Sequence, residues 1–88
     1  MIRRLVTVSG HVQGVFFRET TRRMAEAHAV SGWVRNTAEG TVEAAFEGAP
    51  DAVETVIEFC RTGPEGAKVA AVEVRERQPE HAQGFRVL

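Results

Sequence analysis

A chain of 88 residues, 43% of them hydrophobic and with a formal net charge of −1, has material for one core and is read as one domain spanning residues 1–88. Its one cysteine, Cys60, excludes an internal disulfide, and no apolar run approaches the length of a membrane span or a signal-peptide core, so a cytoplasmic protein with no membrane partner is expected. The near-neutral balance argues against a nucleic acid partner, although it is uneven: residues 1–36 carry a net +4 and residues 37–88 a net −5.

Leu5-Val6-Thr7-Val8-Ser9 is β-branched and ends at Gly10, which predicts a first strand. Arg18 to Ala29 holds helix formers and few strand formers, which predicts a helix. The loop between them, through Gln13-Gly14-Val15-Phe16-Phe17, therefore presents main-chain N–H groups at the positive end of a helix dipole, the setting of an anion site. Gly14 permits a positive φ that aims successive amides at one point, and the rigid fork of Arg18 matches two phosphate oxygens.

Gly32-Trp33-Val34-Arg35-Asn36 reads as a second strand, followed by a turn at Thr37-Ala38-Glu39-Gly40 and a third strand over Thr41 to Glu47. Alternation in the third strand sends Val42, Ala44 and Phe46 to the core and Glu43, Ala45 and Glu47 to an open face. Pro50 suits the first turn of a second helix, whose stripe is Val53, Val56, Ile57 and Cys60 and whose stop is Gly63-Pro64. Val69, Val72 and Val74 belong to a fourth strand, Gln78 to Gln83 to a polar loop, and Gly84 to Leu88 to a short closing strand.

The order βαββαβ with a short extra C-terminal strand predicts an α+β, ferredoxin-like sandwich: a mostly antiparallel sheet with two helices on one face. In such a fold the first two strands run parallel, so the Gln13–Arg18 loop and Asn36 emerge at the same edge. Asn36 can orient a water without deprotonating it. The loop has no cysteine for a phosphocysteine intermediate and no P-loop lysine, and no Cys and His cluster has metal-ligand spacing. A cradle of amides, one arginine and one asparagine suits a phosphoryl group on a good leaving group, such as a carboxylate with a conjugate-acid pKa of roughly 4.

Gly10-His11-Val12-Gln13-Gly14-Val15-Phe16-Phe17-Arg18, Gly32-Trp33-Val34-Arg35-Asn36, Gly40-Thr41-Val42-Glu43 and Gly63-Pro64, in that order, resemble the acylphosphatase family over nearly the whole chain. The resemblance implies hydrolysis of a small-molecule acyl phosphate to a carboxylate and inorganic phosphate, without metal or cofactor; a monomer is expected, although the sequence leaves the oligomeric state open. Arg18 and the amides of Gln13, Gly14, Val15, Phe16, Phe17 and Arg18 would then hold the phosphate, and Asn36 the attacking water. The substrate's own phosphate would accept the proton. The alternative is a binding module that keeps the cradle without turnover. Relatives often carry Leu-Gly-Leu where this chain has His28-Ala29-Val30, so Ala29 is expected to adopt a left-handed helix stop without glycine's freedom.

Overall fold

The computed structural model describes all 88 residues, Met1–Leu88. Strand β1 (Ile2–His11) is longer than its β-branched centre predicts, because Arg3 and Arg4 at one end continue its pairing with neighbours on both sides and Gly10 and His11 at the other continue it on one side. Helix α1 runs Phe17–Ala27, then come β2 (Ser31–Asn36), β3 (Val42–Gly48), α2 (Pro50–Thr62), β4 (Lys68–Arg77) and β5 (Phe85–Val87). The sheet order is β4-β1-β3-β2-β5, with β5 parallel to β2 and every other pair antiparallel. This is the ferredoxin-like arrangement with one added strand.

Both helices bury one stripe against the same sheet face. Phe17, Thr21 and Ala25 of α1 and Val53, Val56, Ile57 and Cys60 of α2 meet Val6 and Val8 of β1, Val34 of β2 and Val42, Ala44 and Phe46 of β3. Aromatic pairs tie the layers together, Phe17 to Phe59 at 6.0 Å between ring centroids and Phe46 to Phe85 at 5.9 Å. Cys60 is a core residue: burial pushes its thiol up to about 12, against the Arg61 charge and the nearby Thr21 hydroxyl, which falls short of hydrogen-bond geometry.

The far face of the sheet departs from expectation. Ala45 and Glu47 were expected to face solvent with Glu43, yet both are 1% exposed. Ala45 lies between Leu5 of β1 and Trp33 of β2 in the sheet register. Glu47 accepts a hydrogen bond from Arg3 Nη1 at 2.9 Å and from the main-chain N–H groups of Glu80 at 2.8 Å and Ala82 at 3.1 Å. The polar loop of residues 78–83 is thus an ordered strap laid across this face, so the sheet is covered on both sides where Glu47 stands.

Burial alone would raise the Glu47 pKa, but the Glu80 N–H, the Arg3 guanidinium and the Ala82 N–H outweigh it and hold the carboxyl below its ordinary value of 4.5. A carboxyl depressed in the folded state contributes stability that is present above its unfolded pKa and lost as pH falls through the folded one.

Helix α1 stops two residues earlier than expected because the chain reverses at Ala29, whose φ is 56°, and Val30 N–H closes the turn on Ala25 O at 2.8 Å. The left-handed stop expected at Ala29 is present without glycine.

Two stability measurements follow. Glu47→Gln should lower the unfolding free energy at neutral pH by about 3–5 kcal/mol, because Arg3 is left buried with a poorer partner, and should flatten the loss of stability seen in the unaltered chain below about pH 4.5. Ala29→Gly should stabilise by about 0.5–1 kcal/mol in urea denaturation, since relief of a left-handed alanine exceeds the entropy that glycine adds to the unfolded chain.

Candidate active site

The site begins where β1 gives out. Gly10 sits at a register shift against β4, and a Cβ there would lie 2.2 Å from Lys68 O, so only glycine fits as the strand turns out of the sheet. Val12, 1% exposed, then anchors the loop in the core.

Beyond it the backbone alternates hand. Gly14 has φ 76° and Phe16 φ 61°, while Val15 between them stays in the ordinary negative range. Alternation of this kind turns successive N–H groups toward one side and forms an anion-binding nest. From Gln13 to Glu19 none of these groups bonds to a main-chain acceptor, and no side chain caps α1. The first to do so is Thr20 N–H, which reaches Phe16 O at 3.0 Å. Seven consecutive donors are left for something else.

The parallel course of β1 and β2, with β3 between them, brings Asn36 to the same edge. Arg18, Asn36, Gly14 and Phe16 line one cleft of about 390 Å³, floored by Val12 and Phe17. Arg18 Nη1 donates to the Leu88 main-chain oxygen at 3.1 Å, which holds the guanidinium at the end of β5. The Glu19 carboxyl is held down to about 2, chiefly by hydrogen bonds from Arg22, with Arg23 adding to them. With Arg22 and Arg23 turned onto Glu19, Arg18 is the cation lining the cleft.

Gln13 and Val15 do not line the cleft with their side chains. Val15 packs against the core. Gln13 Nε2 donates to Thr37 O at 2.9 Å and to Thr41 O at 3.0 Å, so its side chain fastens the loop to the β2–β3 turn just beyond Asn36. Within that turn the Thr37 and Thr41 hydroxyls are hydrogen-bonded to each other at 2.6 Å. Sequence reasoning looked only to the Gln13 amide; the bracing role of its side chain had no local signal, because its acceptors lie 24 and 28 positions away. Val87, which also lines the cleft, was missed for the same reason.

A ferredoxin-like sandwich in which a loop of amides without main-chain acceptors, one arginine and one asparagine meet at a small cleft has the groups suited to an anion such as a phosphoryl group. Comparison with known proteins makes the class specific: residues 4–87 match the family model Acylphosphatase. The chain belongs to the acylphosphatase family. It is 55% identical to an acylphosphatase of Haloarcula marismortui over 83 residues, covering 93% of this chain and 90% of that one. Among solved structures, an acylphosphatase from Bacillus subtilis superposes with a TM-score of 0.96 at 32% identity, covering 100% of this chain and 99% of that one. An acylphosphatase from Coxiella burnetii gives a TM-score of 0.95 at 41% identity, covering 99% and 92%.

If the Gln13 side chain braces the turn, Gln13→Ala should lower the unfolding free energy by about 1–3 kcal/mol, the sum of two ordinary hydrogen bonds. Amide hydrogen exchange should quicken at Thr37 and Thr41 before it does in the helices.

Proposed function

We propose that this chain is an acylphosphate phosphohydrolase in which the amides of residues 13–18 and Arg18 hold the phosphoryl group and Asn36 orients the attacking water. The observation that supports this reading is the run of N–H groups without main-chain acceptors from Gln13 to Glu19, in a loop that borders the cleft lined by both Arg18 and Asn36. The substrate is a small acyl phosphate.

The chemistry follows from those groups. Amides and guanidinium neutralise the phosphoryl oxygens and fix their orientation, which is most of what phosphoryl transfer requires. The Asn36 side-chain carbonyl accepts a hydrogen bond from a water and its amide donates one to the phosphate, which aligns the water oxygen with phosphorus. The bond from that oxygen to phosphorus forms while the bond from phosphorus to the acyl oxygen breaks. The departing carboxylate is stable without a proton, so no general acid is needed. The water's proton passes to a phosphate oxygen, giving inorganic phosphate. Arg18 suits the task better than lysine because its planar fork meets two oxygens at once.

Purified protein should release phosphate from benzoyl phosphate or acetyl phosphate and leave an alkyl phosphate monoester intact. Arg18→Ala and Asn36→Ala should each lower kcat/KM by on the order of a hundredfold or more, as loss of one oxyanion donor does, with circular dichroism unchanged. Full activity in both variants would sink the residue assignment. Thermal stabilisation by phosphate without any turnover would instead support a binding module.

A further inference from the structure

Phe16 is out of keeping with its surroundings. A bulky side chain at φ 61° is strained, at a cost of roughly 1–3 kcal/mol, and glycine would meet the same backbone demand freely. Nor does the ring repay that strain in the core, since Phe16 is 82% exposed. Phe16 is instead a lining residue of the cleft, as is Val87, 40% exposed on β5.

The cleft is also larger than its phosphate requires: even if each of the five atoms of a phosphate took the roughly 30 Å³ of a whole water molecule in the liquid, together they would fill less than half of its about 390 Å³. The polar groups Gly14 N–H, Arg18 and Asn36 belong to the phosphate end; the rest of the lining is Val12, Phe16, Phe17 and Val87, together with Glu19, whose carboxylate is engaged by Arg22 and Arg23.

We infer that Phe16 and Val87 form an acyl-binding wall, and that the chain favours acyl phosphates with a bulky apolar acyl group over those with a two-carbon one. This rests on the acyl phosphate reading of the site. The ring of Phe16 covers the face of the acyl group turned away from the cradle, and Val87 supports it from the β5 side. Contact with an apolar acyl group removes both surfaces from water, a gain that a two-carbon acyl chain is too short to draw on. Phe16 is then a specificity-determining residue whose side chain acts on the acyl end, while its main-chain N–H belongs to the cradle.

The test is the ratio of kcat/KM for benzoyl phosphate to that for acetyl phosphate. Both substrates use the same cradle, so any effect of a substitution on phosphate binding cancels in the ratio. Phe16→Ala should lower the ratio about tenfold, a loss in keeping with partial exposure of one aromatic ring. Phe16→Leu should keep most of it, and Val87→Ser should lower it several-fold. A ratio unchanged in Phe16→Ala overturns the proposal whatever Val87→Ser does. Failure of the unaltered chain to release phosphate from either substrate overturns the hydrolase reading itself, which is a separate result.

Discussion

Main-chain N–H groups that find no acceptor are the constraint around which this molecule is organised. A helix start ordinarily leaves its first N–H groups to side-chain caps, water or a ligand. Here seven in succession, Gln13 to Glu19, have no main-chain acceptor at the start of α1, and no side chain caps it. The rest of the fold keeps them so. Val12 and Phe17 pin both ends of the loop in the core, the left-handed turns at Gly14 and Phe16 hold its shape, and the Gln13 side chain ties it to the neighbouring hairpin. The sandwich thereby fixes the shape of the loop proposed to bind phosphate.

A second interaction works from the other side of the sheet. The Arg3–Glu47 pair is buried, and such a pair is a poor source of net stability unless its remaining hydrogen-bonding capacity is filled. It is filled here by the strap, whose Glu80 and Ala82 N–H groups complete the Glu47 carboxylate. The strap leads directly into β5, which adds to β2 and carries Val87 to the cleft and the Leu88 oxygen to Arg18. The back of the sheet thus sets the position of the strand that finishes the front edge.

Much of this was legible in the sequence, and the pattern of what was not is instructive. The helix stripes and the hairpin follow from local periodicity, and the meeting of Arg18 with Asn36 follows from topology alone, since parallel β1 and β2 must end together. Positive φ at Gly14 followed from residue type, and the left-handed stop at Ala29 was raised only by the glycine that relatives often carry there. What escaped were contacts made by distant segments. Alternation in β3 correctly gave the two faces of the strand, but it carries no information on whether a loop more than thirty positions away covers the second face; Glu47 looked like a solvent residue for that reason. Phe16 offered the opposite difficulty, because an aromatic residue next to a helix start usually packs inward, as Phe17 does, and only the backbone hand at position 16 turns its neighbour out.

The place of β5 in the chain has a consequence for synthesis. A polypeptide emerges amino end first, and residues 10–18 with α1 and β2 are available long before Phe85–Val87. The loop and helix start proposed to hold phosphate come from elements synthesised early, whereas Val87 and the Leu88 oxygen that meets Arg18 come from β5 and the residue after it. During translation the two sides of the cleft are therefore made at different times, and the side proposed to meet the acyl group follows the side proposed to meet phosphate.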